Sequence, residues 1–251
     1  RTAEEALSNL GGSYFPEFDY SKHTCEPFRI PEDWTIYNTL DYGLDMFAHY
    51  KVAISNDNIA YVFHEIYQSG LIISDAAAKV KVAELHEKED GSVEHWYKPK
   101  LRLAPPDLWN RSQETGKSRA LLFYENGLEL VKSNNDRHAG WLAIKELLKE
   151  RVAPNGETYT RLKIFRTCTN LIRTLPQLLI DEKDPEDAAK EPHELTHAPD
   201  ALRYFAIYWT QPPQPKAPKK VKYRPDILED YLNASEEERQ IIIKRYGVPL
   251  L

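Results

Sequence analysis

The chain has 251 residues, 41% of them hydrophobic and 29% charged, enough to bury a core in one large domain or two small ones. No run approaches the roughly 20 apolar residues that a bilayer span needs, and the polar opening RTAEEALSNL is no signal peptide. A formal net charge of −6 argues against a dedicated nucleic-acid clamp, and two distant cysteines, Cys25 and Cys168, argue against a disulfide framework and for a reducing cytosol. The start at Arg1, without Met, reads as a piece of something longer.

Residues 1–34 mix turn formers, aromatics and prolines without a period, and read as an irregular leading segment whose aromatics pack onto the body. Three β-branched and aromatic strands follow: TIYNTLDYG, then HYKVAIS and NIAYVFHEIYQSG, the last two joined by the polar turn Asn56-Asp57-Asn58. Ser74 is a candidate cap for a helix to about His86, with Ala76, Ala77, Val80, Val82 and Leu85 apolar. EKEDGSVEH reads as a solvated turn, and HWYKPKLRLAPP as a strand running into a proline corner. Asp107 opens a short segment. RALLFYENG is a helix stopped at Gly127, and LELVK a short strand. DRHAGWLAIKELLKER is an amphipathic helix with Trp141, Ile144, Leu147 and Leu148 on one stripe. RLKIF is a strand, TNLIRTLPQLLID a helix broken before Pro176, and DEKDPEDAAKEPHE a charged loop. LTHAPDALRYFAIYW is the last apolar helix, so the core spans 35–210. From 211 to 251 the Pro/Lys-rich QPPQPKAPKKVKYRP reads as a linker, followed by a tail with one or two short helices. Three strands joined by short turns, then strand–helix alternation, predict an α/β fold with a mixed sheet flanked by helices.

Three carboxylates draw attention. Asp41 ends an apolar strand before Tyr42-Gly43, with Asp45 four residues on; an ordinary Asp-x-Gly turn is the plain alternative. His197 and Asp200 lie three apart, hence on one helical face amid Ala198, Ala201, Leu202 and Phe205. A carboxylate there is costly unless compensated, by a cation, by the helix N-terminus or by Arg203. Asp107, after Pro-Pro, is equally an N-cap. Together such groups suit Mg²⁺ or Mn²⁺, which prefer hard oxygen ligands. Two ions roughly 4 Å apart can activate a water and stabilise the leaving oxygen of a phosphodiester. There is no C-x-x-C, and no zinc-type arrangement of histidines is expected. P-loop, G-x-G-x-x-G and G-x-S-x-G motifs are absent; ETGKS lacks the upstream glycine of a phosphate loop.

The ordered blocks GSYFPEFD, LDYGLD, YVFHEIY, APPDLWNRSQETGKS, DRHAGWLAIKELL, CTNLIRTLPQLL and THAPDALRYF resemble the C-terminal nuclease domain of the tailed-bacteriophage terminase large subunit, from about Gly12 to Trp209. The resemblance implies an RNase H-like fold, three antiparallel strands then parallel ones. It implies endonucleolytic cutting of concatemeric double-stranded viral DNA during genome packaging, with two Mg²⁺ or Mn²⁺ ions. Asp41 matches the first-strand ligand, Asp200 the acid on the last helix, and His197 the nearby histidine. At the second acidic position many relatives have Asp before the proline, where Ala104 stands here. Asp107 is the nearest substitute, Asp45 a reserve ligand and Glu65 a more distant one. Arg111, Lys117, Arg119, Arg137 and Lys145 are candidate phosphate contacts. Implied partners are DNA, an N-terminal ATPase domain of the same subunit, the portal protein and the small terminase subunit. No membrane is implied, and the setting is the host cytoplasm. Two alternatives stay open: a resolvase- or transposase-like RNase H relative, and a non-catalytic docking domain of a packaging motor.

Overall fold

The structure is a computed structural model that describes residues 12–87, 93–94, 98–211 and 220–250. It divides into two compact units, Arg1–Thr210 and Gln211–Leu251. The first carries a seven-stranded sheet. Its strands are β1 (Thr24–Cys25), β2 (Thr35–Tyr42), β3 (Phe47–Ile54), β4 (Ala60–Gln68), β5 (Leu101–Ala104), β6 (Val131–Lys132) and β7 (Leu162–Phe165). Its helices are α1 (Ile73–Ala83), α2 (Arg119–Glu125), α3 (Arg137–Leu148), α4 (Thr169–Thr174) and α5 (His197–Thr210).

The spatial order is β1-β7-β4-β3-β2-β5-β6, and β3 alone runs against the rest. The expected antiparallel trio is therefore present, with parallel strands added on both of its edges. The turn between β3 and β4 contains Asn58 at φ 61°, a left-handed conformation that Asn tolerates better than most residues. Alternation splits β2 between two faces. Tyr37 and Thr39 look toward α5: Tyr37 lies against Phe205, and the Thr39 hydroxyl donates to the Ala201 carbonyl at 2.5 Å. Leu40 and Tyr42 join Phe47, Ala76, Ala77, Val80 and Phe123 in a core beneath α1 and α2. The larger core lies on the other face, where Trp141, Ile144, Leu147, Leu171, Leu202 and Phe205 pack over Tyr50, Val52 and Val62.

Several expectations need correcting. The leading segment is not wholly irregular: Thr24 and Cys25 pair in parallel with Ile164 and Phe165, a two-residue strand too short to leave a period. Its Tyr14 and Phe15 are buried against Trp141. Helix α1 starts before Ser74, at Ile73, with Ile72 as N-cap and no side-chain cap. Val82 and Leu85 are exposed, because the buried stripe at positions 76, 77 and 80 faces away from Val82 and the helix ends at Ala83. The strand expected across His95–Pro106 is confined to Leu101–Ala104, and residues 95–97 lie outside those described. The expected turn at 87–95 and linker after Gln211 fall largely outside the described residues as well. In the second unit, α6 (Pro225–Asn233) and α7 (Glu236–Tyr246) are present, the latter opened by a Ser235–Glu238 capping box. Among the described residues no helix is long and apolar enough to cross a membrane.

Candidate active site

Asp41 is the penultimate residue of β2, on the face toward α5 and beside Ala48 of β3. The strand turns through Gly43, whose N–H donates to Met46 at 2.9 Å, and Asp45 sits in that loop. A Cβ at residue 43 would fall on the Asp45 carboxylate, so glycine is what admits that side chain. His197 begins α5 with its ring buried between the two acids. Its Nδ1 lies 2.8 Å from Asp41 Oδ2 and its Nε2 3.0 Å from Asp45 Oδ2. His193, in the 3₁₀ turn His193–Leu195 ahead of α5, places Nδ1 2.8 Å from the same Asp45 oxygen.

Asp200 lies in the first turn of α5, where the helix N-terminus favours an anion. Its Oδ1 accepts from Arg203 Nε at 2.8 Å and more loosely from Arg137 Nη1 at 3.4 Å. The Arg203 alternative for this carboxylate is thus realised. Arg137, at the start of α3, also donates to both oxygens of Asp187 and to the Ala188 carbonyl, while Trp141 Nε1 reaches Asp187 at 2.7 Å. Asp107 occupies the 3₁₀ turn Pro106–Trp109 just past β5; its side chain is 51% exposed and pairs with Arg119 at 3.6 Å.

Electrostatics tie the three carboxylates together. Burial pushes the Asp41 carboxyl above the usual range, and the negative charges of Asp200 and Asp107 add to the push against the pull of His197. Burial likewise raises the Tyr204 phenol, helped by the same three acids. For His197, burial lowers the imidazole, but its bond to Asp41 and the charges of Asp41 and Asp45 outweigh this and raise it. A buried acid crowded by like charges, with hard oxygen donors and an imidazole beside it, fits a divalent cation.

Four of the five candidate residues, Asp41, Asp45, His197 and Asp200, therefore gather around the start of α5, and Asp107 stands at the rim. Ala104 is fully buried in the core under α1 and α2, paired with Lys132, so that position faces away from Asp41. Glu65 stands apart. It accepts from the Asn170 and Leu171 backbones, the Asn170 amide and the Tyr50 hydroxyl, holding the start of α4. Among the candidate phosphate contacts, Arg137 is committed to Asp187 and Asp200. Lys145 lies over the Tyr14 ring, 4.5 Å from its centre, and Lys117 pairs with Glu125 at 2.7 Å.

The expectation against a zinc-type histidine arrangement was wrong on the sequence itself: His193-Glu194-Leu195-Thr196-His197 has the H-E-x-x-H spacing. That string was the available signal for His193. Arg137 and Asp187 carry no such signal, since they meet only through the fold.

No family model and no curated protein matches the chain, but solved structures do. A large terminase from a thermophilic bacteriophage aligns over 78% of this chain and 45% of its own, at 19% identity and a TM-score of 0.58. The P22 large terminase nuclease domain aligns over 79% and 92%, at 17% identity and 0.58. The large terminase nuclease from thermophilic phage G20c aligns over 80% and 98%, at 12% identity and 0.51. The chain thus has the RNase H-like fold of large-terminase nuclease domains and spans less than half the length of the first of these proteins.

Proposed function

We propose that this chain is the nuclease domain of a phage-type large terminase subunit, a divalent-metal-dependent endonuclease that cuts concatemeric double-stranded viral DNA in the host cytoplasm. The observation that carries this reading is the gathering of Asp41, His197 and Asp200, with Asp107 in electrostatic reach, at the C-terminal ends of β2 and β5. In α/β sheets that edge is where ligands bind. A pair of bound Mg²⁺ or Mn²⁺ ions would supply charge stabilisation to an attacking water and a departing oxygen. Asp41 and Asp200 would offer the oxygen donors, with Asp107 or Asp45 completing the set. His197, fixed through Nδ1 by Asp41, would act through Nε2 either as a metal ligand or as a proton-transfer group. Exposed Arg111 and Arg119 would meet DNA phosphates. An N-terminal ATPase domain, the portal and the small terminase subunit would be its partners.

A second reading is a docking domain without catalysis. The ion pairs that Arg203 and Arg137 make with Asp200 favour it. Cleavage of supercoiled plasmid with Mn²⁺ or Mg²⁺ separates the two. The wild-type chain is expected to nick and linearise, whereas Asp41→Asn and Asp200→Asn lose at least about 100-fold, more than the melting loss expected of Asp200→Asn from the buried Arg203 charge explains. Cleavage unchanged in both variants sinks the nuclease reading.

A further inference from the structure

We propose that Asp45, His193 and His197 form a site for a borderline first-row divalent cation such as Co²⁺ or Zn²⁺, beside the carboxylates of Asp41 and Asp200. This deepens the metal-dependent reading above and rests on it for where the ion acts, but not for whether it binds.

The ligand atoms of the three residues lie within 4.8 Å of one another, and both histidine nitrogens already point at one oxygen, Asp45 Oδ2, from 2.8 and 3.0 Å. An ion with bonds of about 2.0–2.1 Å in tetrahedral geometry needs its ligand atoms about 3.3 Å apart. The two histidine–aspartate distances of 2.8 and 3.0 Å have to open by a few tenths of an ångström, while the two imidazole nitrogens, within 4.8 Å of each other, settle around the ion. The donor set is two imidazoles and one carboxylate, which suits transition ions over Mg²⁺. Such a set leaves coordination positions for water or a phosphate oxygen.

Three independent features hold it. His197 Nδ1–H can donate to Asp41 Oδ2 at 2.8 Å, which orients the ring and leaves Nε2 as the ligand, the carboxylate–histidine arrangement that supports metal sites. Gly43 leaves the space into which the Asp45 carboxylate folds. The turn carrying His193 is pinned from both sides: the Tyr67 hydroxyl donates to the Glu194 carbonyl at 2.9 Å and Thr196 Oγ1 to the His193 carbonyl at 3.0 Å.

The site is not that of an H-E-x-x-H metalloprotease. There both histidines ride one helix and the glutamate is the general base. Here His193 precedes the helix in a 3₁₀ turn, and the third ligand comes from the β2–β3 loop. Glu194 is exposed and takes no part in the contacts that join the three.

The test is a titration of the full 251-residue chain with Co²⁺, followed by its visible absorption. Expected are intense bands of imidazole-ligated Co²⁺, bleached by Zn²⁺ and unmoved by excess Mg²⁺. His193→Ala and Asp45→Ala, both at half-exposed positions, are each expected to weaken binding by at least about 10-fold with unchanged melting of the apo-protein. Gly43→Ala should weaken it also. His138→Ala, at an exposed histidine paired with Asp184 outside the triad, should leave the Co²⁺ spectrum intact. Absence of Co²⁺ binding, or equal binding by wild type, His193→Ala and Asp45→Ala, overturns the inference. Plasmid cleavage run alongside keeps the two readings apart. Cleavage that persists with no triad-dependent Co²⁺ spectrum removes only the triad. Triad binding without cleavage removes only the nuclease.

Discussion

Asp200 is held between two arginines of different character. Arg203 is buried and grips it at 2.8 Å, whereas Arg137 reaches it only at 3.4 Å and is better bonded to Asp187. Arg137 therefore serves chiefly to neutralise Asp187, a mostly buried acid that Trp141 also binds. Arg137→Ala should strand that carboxylate, at a cost of about 2–4 kcal/mol in urea unfolding. In Asp187→Asn the charge is gone, so adding Arg137→Ala should cost clearly less than Arg137→Ala costs alone. Strict additivity would show that the pair is not coupled. This residue-level network was invisible in the sequence, because 50 residues separate its two charges. Asp41 and the His197–Asp200 pair were visible for local reasons: one ends an apolar strand, the other puts polar groups on an apolar helix. His193 is legible too, as the first residue of the H-E-x-x-H string. Asp107 shows the opposite failure: its place after Pro-Pro was legible, but its exposure and its pairing with Arg119 depend on how α2 packs.

At the scale of elements, the site depends on how closely α3 and α5 approach. Gly140 makes that approach possible. A Cβ there would sit against Arg203 Cγ and 2.9 Å from its Cδ, so the arginine stem crosses α3 where the glycine leaves room. Arg203 is sandwiched by Trp141 and Tyr204, with its charge centre 5.0 and 4.7 Å from their rings, and cannot easily move aside. Gly140→Ala would normally favour a helix; here overpacking should dominate, destabilising the chain by about 1–3 kcal/mol. The displaced guanidinium should also loosen its hold on Asp200, so cleavage should fall by more than the unfolded fraction explains. A Gly140→Ala variant with wild-type stability would refute the close-approach account. The helices were legible because their apolar stripes repeat at helical spacing, and the interior positions of α3 came out as read. Gly140 was not, since a glycine within an amphipathic run gives no sign of which neighbour needs the space. β1 was equally hidden: two residues cannot show alternation, and its pairing with β7 is a property of the sheet.

For the whole molecule, the buried face of the sheet opposite the site sets a pH dependence that the net charge of −6 would not suggest. Lys51 of β3 is buried, donates to the Ala83 carbonyl at 2.7 Å at the end of α1, and lies 5.6 Å from the centre of the Phe63 ring. Burial lowers its ammonium from 10.5 to about 8, with the charge of Glu84 pulling the other way. Below about pH 8 the folded chain carries this buried charge and its full cost. Between about pH 8 and 10.5 the folded lysine is neutral while the unfolded one still holds a proton, so the unfolded state binds more protons and stability rises with pH. The full gain corresponds to at most about 3 kcal/mol. Buried tyrosines and thiols act in the opposite sense, since burial raises the Tyr37 and Tyr50 phenols, pushes Tyr14 up to about 12, and raises the Cys25 and Cys168 thiols. Unfolded phenols lose protons only near pH 10, and unfolded thiols, from roughly pH 8.5, offset part of the lysine's gain, so the net climb between roughly pH 8 and 9.5 is smaller than the lysine alone would give. Urea midpoints should therefore climb across that interval. In Lys51→Met the climb should vanish, whatever the variant's absolute stability, because the lost bond to Ala83 and the removed charge act in opposite directions but neither depends on pH. A wild-type curve that is flat or falling across the interval, or a Lys51→Met curve that still climbs, would mean that the lysine keeps its proton in the fold.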